Sequence, residues 1–256
     1  MKLVYQISRI RLFISRMVRK HFSSIKSNWE YGKKAQLDFW EKTLKDNGRN
    51  WYQPEFNKRI SSSSEFDKKL RNLILDTPYS KINKYRIVDV GAGPLTDLGK
   101  KWPGKELEII PLDPLANYYN KILKNNNIIA PVPTIYGEGE KLLEVWSESS
   151  FHMAYSANAL DHSISPLRCI KNMVKITKPS CYVWFWTFVN EAEKSGYSGF
   201  HQWNFIEQNG DLLIWNARNK ISLAKELSGV ATVSCTRNIK YEERERPILE
   251  IAIKKL

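Results

Sequence analysis

The stretch Arg86-Ile-Val-Asp-Val-Gly-Ala-Gly-Pro-Leu-Thr96 decides the fold of this chain. Its first residues read as a buried β-strand, and the strand runs directly into Gly91-Ala-Gly93. Glycines that end a strand and open a helix bring bare backbone close to a ligand at the carboxyl edge of a parallel sheet. A dinucleotide loop would have a third glycine where this chain has Thr96, and no Gly-Lys-Ser/Thr of a Walker loop follows. We therefore expect a ligand without a diphosphate.

From residue 85 onward, short apolar runs alternate with helical segments. Such alternation predicts an α/β fold with a doubly wound, mostly parallel sheet and helices on both faces. A short third strand precedes Tyr136, and two β-branched runs close the chain, which brings the predicted sheet to seven strands. The other predicted strands are Ile87–Val90, Leu107–Leu112, Phe151–Ser156, Tyr182–Phe188, Val230–Cys235 and Ile248–Ile253, and the predicted helices between them are Leu115–Lys124, Leu142–Trp146 and Leu167–Lys175.

An N-terminal helical extension precedes this region. Apolar residues recur at helical spacing from residue 3 to 25, and Trp29–Trp51 and Asp67–Leu75 read as two further helices. The predicted organisation is a basic amphipathic helix over 1–27, a helical extension over 28–80 and a ligand-binding domain over 81–256. The first helix has two interpretations: it lies on an anionic membrane surface or a protein partner, or it packs on its own domain.

Charge and cysteines limit the partners. The net charge is +13, but residues 1–27 hold seven Lys and Arg and no acid, so the remainder carries about half of it. Nucleic acid is therefore a weaker expectation than the total charge suggests. The three cysteines have no metal-ligand spacing and leave one unpaired. We expect a reducing, cytoplasmic location, with peripheral contact at the inner membrane surface if the first helix binds lipid, and no metal site.

Further motifs follow at the ends of the later predicted strands. Asp113 lies 24 residues after Asp89, where a carboxylate can accept hydrogen bonds from ribose hydroxyls or can cap the helix that follows Pro114. The third strand ends at Tyr136-Gly-Glu-Gly-Glu140, and the fourth delivers Ser156-Ala-Asn-Ala-Leu-Asp-His162. All of these segments should meet at one edge of the sheet.

This ordered set of motifs resembles the class I S-adenosylmethionine-dependent methyltransferases, which have a Rossmann-like fold. The particular residues in these motifs are similar to those of the methyltransferase type 11-like enzymes, in a bacterial branch linked to glycan and small-metabolite methylation. The motifs that carry it are Val-Asp-Val-Gly-Ala-Gly-Pro, Leu-Asp-Pro-Leu-Ala, Gly-Glu-Gly-Glu, Ser-Ala-Asn-Ala-Leu-Asp-His-Ser and Lys-Pro-Ser, over about residues 84–188. The usual Pro-Gly-Gly turn before the fifth strand is replaced by Lys178-Pro-Ser-Cys181.

The resemblance implies S-adenosyl-L-methionine as cofactor and assigns residues to its parts. Asp89, Gly91 and Gly93, with Ala92 between the glycines, would receive the methionine end. Asp113, followed by Pro114, would hold the ribose, and Glu138 with Gly139 the adenine. Asn158 and Ala159 would form the floor of the cofactor site.

The acceptor side offers few candidates for a general base. His162 follows the fourth strand, His201 lies in the aromatic stretch Gly196–Asn204, and Asp161 could act itself or orient His162. The alternative is that His162 caps the next helix and His201 packs in an aromatic cluster. His21 and His152 are interpreted as structural.

Three functions follow from these observations. O-methylation of a glycan or small metabolite is favoured, because Asp/Asn-Pro-Pro-Tyr and Pro-Cys motifs of nucleic acid methyltransferases are absent. The alternatives are an RNA methyltransferase, suggested by the basic charge, and a non-catalytic adaptor that retains the fold.

Overall fold

The computed structural model describes residues 14, 15, 17, 18, 25–238 and 246–256. Most of the helix predicted over residues 3–25 lies outside them; the four described positions in that range before residue 25 are helical. No described helix combines the length and the apolar character needed to cross a membrane.

The predicted seven-stranded α/β sheet is confirmed. Its strands are β1 (Lys84–Val90), β2 (Glu106–Asp113), β3 (Ile135–Tyr136), β4 (Phe151–Ala157), β5 (Thr177–Phe188), β9 (Ala231–Asn238) and β10 (Ile248–Lys255), in the order β3-β2-β1-β4-β5-β10-β9. The first five strands of this order are parallel, and β10 runs antiparallel to both β5 and β9. The strand order reverses between β1 and β4, which is where ligands bind in doubly wound sheets.

The four helices predicted from residue 67 onward are found within one residue of their expected bounds, whereas the helices at 53–60, 191–195 and 223–226 were not predicted. The helices are α1 (Ile25–Lys45), α2 (Gln53–Ile60), α3 (Lys68–Leu75), α4 (Ala116–Asn125), α5 (Leu142–Val145), α6 (Pro166–Ile176), α7 (Glu191–Ser195) and α8 (Leu223–Glu226). Within the predicted Trp29–Trp51 stretch, the Asp46-Asn-Gly48 sequence indicates a turn that ends the helix, and the structure confirms this: α1 ends at Lys45 and the chain turns over residues 46–48. Asp67 caps α3 by accepting hydrogen bonds from Lys69 and Leu70 backbone N–H groups.

The two faces of the sheet bury different side chains of the same strands. Val183 and Phe185 of β5 pack on α6, whereas Trp184 and Trp186 face the side that holds α3. This double burial explains why the strands read as continuous apolar runs.

A second sheet was not expected from the sequence. It contains β6 (Asn204–Gln208), β7 (Asp211–Trp215) and β8 (Lys220–Ser222), all antiparallel, and it lies between β5 and β9 in the chain. Phe205 and Ile214 are fully buried in the same core as α6. The small sheet therefore extends the main core and fixes the loop that precedes β6, which holds His201.

Candidate functional site

The glycine loop after β1 is held against the end of β2. Gly91 and Ala92 donate backbone hydrogen bonds to the Leu112 carbonyl at 2.9 and 3.0 Å. Gly91 has a φ of +76°, and a Cβ there would lie 2.5 Å from the Cβ of Ala159. Gly93 has a φ of +65°. Both conformations are strained for residues with a side chain, so the two glycines are required by the backbone path.

Asp89 is buried directly beneath the loop. Its Oδ2 accepts a hydrogen bond from Thr96 Oγ1 at 2.7 Å, so the residue that replaces the third glycine supports this carboxylate. The other oxygen, Oδ1, is buried and has no hydrogen-bond partner among the described residues. Burial, followed by the charge of Asp97, raises the pKa of Asp89 to about 8.

Asp113 is placed at the end of β2 with both oxygens in use. Oδ2 accepts from the Gly93 backbone N–H at 3.1 Å, and Oδ1 accepts from the Leu115 backbone N–H at 2.8 Å. Burial raises its pKa to about 6, and the two backbone donors oppose that rise. The carboxylate therefore caps the segment before α4, as one interpretation of the sequence expected, and also lines the cavity described below.

Glu138 and Gly139 follow β3, next to the end of β2 at the same edge of the sheet. Glu138 accepts hydrogen bonds from Tyr136 Oη at 2.6 Å and Lys141 Nζ at 3.0 Å. Burial raises the pKa of Glu138, but these hydrogen bonds outweigh it and the net shift is downward. Glu138 is therefore held as a carboxylate acceptor.

One cavity of roughly 940 Å³ joins these residues. It is large enough for a nucleoside-sized ligand and a second small molecule. All ten residues assigned to the cofactor line it, and so do both histidines: Asp89, Gly91, Ala92, Gly93, Asp113, Pro114, Glu138, Gly139, Asn158, Ala159, His162 and His201.

The three residues considered for base catalysis form one cluster. His162 and Asp161 belong to a 3₁₀ turn after β4, and His201 comes from the loop before β6. His201 Nδ1 lies 2.7 Å from Asp161 Oδ2 and 3.2 Å from His162 Nε2. His162 Nε2 lies 3.6 Å from Asp161 Oδ2, so Asp161 orients His201 more directly than the expected His162.

Burial and charge separate the two histidines. Asp161 is fully buried. Burial lowers the pKa of His162 to about 4, with the neighbouring His201 acting in the same direction. Burial also lowers the pKa of His201, but the hydrogen bond and charge of Asp161 outweigh it and the net shift is upward. His201 is thus the more basic imidazole of the pair.

Helix α1 supplies a wall of the cavity that the sequence did not assign to the site. Trp40 lies over the glycine loop, since a Cβ on Gly93 would come within 3.1 Å of its ring. Trp29 stacks on Phe200, with ring centroids 5.4 Å apart. Trp40 Nε1 is buried and has no hydrogen-bond partner in the described part of the chain. Trp40 lies within the helix that the sequence predicts over Trp29–Trp51, and helical periodicity alone does not distinguish a core contact from a cavity wall.

Arg59 of α2 is a second residue that the sequence did not assign. It is buried and lines the cavity beside the glycine loop. Its Nη1 donates to the Leu95 carbonyl at 2.7 Å, and its Nε pairs with Glu55 at 2.9 Å. Nη2 lies 3.8 Å from Asp97 Oδ2. Arg59 therefore links the N-terminal extension to the loop.

Among the comparisons with known proteins, only the one with solved structures found similar proteins. No protein-family model matches the sequence, and no curated protein is similar to it at a significant level. The CMeT domain of the citrinin polyketide synthase is 16% identical with a TM-score of 0.45, over 66% of this chain and 46% of that chain. The chain thus spans less than half the length of that domain structure.

Two bacterial methyltransferases are similar over more of their length. The N-methyltransferase NodS from Bradyrhizobium japonicum is 12% identical with a TM-score of 0.44, over 78% of this chain and 97% of that one. The second is the 1,6-didemethyltoxoflavin-N1-methyltransferase from Burkholderia thailandensis, whose structure contains 1,6-didemethyltoxoflavin and S-adenosylhomocysteine. It is 13% identical with a TM-score of 0.43, over 88% of this chain and 89% of that one. At these identities the fold class rests on the strand order of this chain itself.

The buried Asp89 carboxyl should destabilise the protein as pH rises. Its pKa is raised on folding, so its favourable contribution is complete below the pKa of the unfolded chain and is lost as pH rises toward about 8. Asp89→Asn keeps the acceptor for Thr96 and cannot ionise. We expect the variant to gain stability over the wild type, on the order of a few kcal/mol, between pH 5 and pH 8. Urea unfolding at both values measures this.

Glu144→Gln removes an exposed carboxyl and serves as the control. Its difference from the wild type should change little over the same range. Equal pH dependence of the two variants would contradict the burial of an ionisable Asp89.

Proposed function

We propose that the protein is an S-adenosylmethionine-dependent methyltransferase that methylates a hydroxyl of a small metabolite or glycan. One observation carries the proposal: the acids around the glycine loop and the two histidines of the Asp161–His162–His201 cluster line a single cavity. A donor site and a proton-accepting site in one cavity are what transfer of a methyl group to a hydroxyl requires.

The polar groups around the loop fit the cofactor. Asp89 Oδ1 and Asp97 Oδ1 are buried acceptors that lack a donor within the described ranges. An ammonium group supplies such donors, and buried carboxylates without partners are costly otherwise. Each oxygen of Asp113 accepts one backbone N–H and retains a lone pair for a ribose hydroxyl. When bound, S-adenosylmethionine would supply a methyl group already activated on a sulfonium.

The side chains near His201 support hydroxyl activation. A neutral His201 with its proton on Nδ1 donates a hydrogen bond to Asp161 Oδ2, and this tautomer leaves the lone pair on Nε2. An imidazole oriented by a buried carboxylate is an effective general base. We assign His201 Nε2 to take the hydroxyl proton, Asp161 to hold the ring and His162 to position it from the other side.

The cavity walls favour a small acceptor over RNA. Helix α1 contributes Trp40 at the loop and Trp29 near the histidines, so it borders both ends of the cavity. Phe200 lies between Trp29 and His162, at centroid distances of 5.4 and 5.5 Å. Such aromatic faces suit a sugar ring or a planar metabolite. Salt-sensitive RNA binding in the micromolar range or tighter would favour the RNA alternative instead.

Asp113→Ala should weaken cofactor binding. Loss of two hydrogen bonds to a carboxylate predicts a fall in affinity for S-adenosylhomocysteine of about 10- to 100-fold. Isothermal titration calorimetry measures the affinity, and thermal unfolding verifies that the variant is folded. Glu144→Ala is the control. Unchanged affinity would refute the ribose assignment, and wild-type protein that binds neither S-adenosylmethionine nor its product would favour the adaptor alternative.

His201→Gln should reduce turnover and leave cofactor affinity unchanged. General bases contribute on the order of 10²- to 10⁴-fold to rate, so kcat for a hydroxyl acceptor should fall by that factor. Release of S-adenosylhomocysteine from a panel of sugars and hydroxylated metabolites provides the assay. His152→Gln is the control and should leave kcat unchanged, because His152 contacts the Arg86 backbone N–H and Lys178 Nζ and does not belong to the cluster. A decrease in kcat of less than about tenfold for His201→Gln would exclude a base role.

Membrane or partner contact through residues 1–27 stays a prediction. We expect anionic vesicles to recruit the full chain in a flotation assay and to recruit a chain that lacks residues 1–27 much less, because the basic residues supply the attraction. Equal recruitment of both proteins would contradict membrane docking by this segment.

A further inference from the structure

We propose that Asp161, His162 and His201 bind one divalent transition-metal ion of the zinc type. Three atoms converge there: Asp161 Oδ2, His162 Nε2 and His201 Nδ1. Two imidazoles and a carboxylate are a common ligand set for zinc and iron. The cysteines, on which the sequence expectation of no metal site rested, take no part in it.

The spacing of the three atoms suits a shared ion. They lie 2.7, 3.2 and 3.6 Å apart. Ligands at about 2.0–2.2 Å from zinc are separated by about 3.0–3.5 Å in tetrahedral or octahedral geometry. Only the Asp161–His201 pair must open, by a few tenths of an ångström. The donor separations are therefore close to those that a shared ion requires.

The charge of the cluster favours a cation. Asp161 is fully buried, and its Oδ1 has no hydrogen-bond partner among the described residues. No Lys or Arg of the described ranges pairs with it; its ion-pair partners are the two histidines. Two imidazole nitrogens and one carboxylate oxygen face one another, and a single proton can join only two of these three atoms by a hydrogen bond. A buried carboxylate is stabilised by a cation, and a divalent ion would satisfy all three atoms at once.

The donor atoms also select the ion. Imidazole nitrogens prefer Zn²⁺, Co²⁺ and Ni²⁺ over Mg²⁺ and Ca²⁺, which take oxygen ligands. Three protein ligands leave at least one coordination position open, and both histidines line the cavity. A hydroxyl or carboxylate oxygen of a ligand in the cavity would fill the open coordination position.

Metal binding would compete with the proposed base, a consequence that rests on the proposed function. The ion takes the Nδ1 lone pair of His201, so the proton of the neutral ring moves to Nε2. Nε2 can then no longer accept a proton from the acceptor. We expect Zn²⁺ to inhibit methyl transfer and a chelator to restore it.

Binding is tested on the full chain without cofactor, so the result does not depend on the reaction. Zn²⁺ is titrated by calorimetry into tag-free, chelator-treated protein, and Co²⁺ is followed by visible absorption. We expect one ion per chain and no competition from excess Mg²⁺. His162→Gln and His201→Gln should each lower the affinity by more than about 100-fold, since loss of an outer-shell group alone costs 10- to 100-fold.

His152→Gln is the matched control and should bind as the wild type does. The three cysteines are buried, which limits binding by thiols. Absence of Zn²⁺ binding in the wild type would overturn the proposal, as would equal affinity in folded His162→Gln and His201→Gln variants. Faster methyl transfer with Zn²⁺ would overturn the assignment of His201 Nε2 as base, while the binding data would still decide the metal site.

Discussion

The hydrogen bonds that tie the glycine loop to the end of β2 are the constraint on which the site depends. Gly91 and Ala92 share the Leu112 carbonyl, and Gly93 donates to Asp113. These bonds bring the ends of two parallel strands into one rigid edge. They leave Asp89 beneath the loop and expose one side of the loop to the cavity. Without them the buried acids would have no fixed relation to the histidine cluster.

Three buried acids lie at this edge of the sheet, Asp89, Asp97 and Asp113, and the packing of the fold does not require them. Burial raises the pKa values of Asp89 and Asp113, and Asp89 and Asp97 each retain an oxygen without a partner in the described part of the chain. Such groups lower the stability of the free protein. They become favourable when a ligand brings ammonium and hydroxyl donors. The cost in the free state is therefore an argument for a polar ligand at the loop.

Sequence patterns predicted the sheet because each strand carries its own local signal. The seven-stranded sheet, its mostly parallel direction and the convergence of the motifs at one edge follow from apolar runs that end in Gly, Asp or Asn. The small sheet of β6–β8 had no such prediction, because its strands are only three to five residues long, begin where the aromatic stretch Gly196–Asn204 ends, and are too short to give a clear periodic pattern. The contributions of Trp40 and Arg59 to the cavity also escaped prediction. Both come from the N-terminal extension, and packing against a distant loop leaves no periodic trace.

The contact between the two histidines is another feature that local sequence patterns did not predict. His162 and His201 were both selected from sequence, yet 39 residues separate them and no pattern predicted their contact. The 3₁₀ turn after β4 fixes one ring, and the loop held by the small sheet fixes the other. Their meeting at Asp161 creates a single position that a proton or a metal ion can occupy, but not both. Under the proposed function, the chemistry of the acceptor end would therefore depend on whether a proton or a metal ion occupies Nδ1 of His201, since that choice determines whether Nε2 is free to accept a proton.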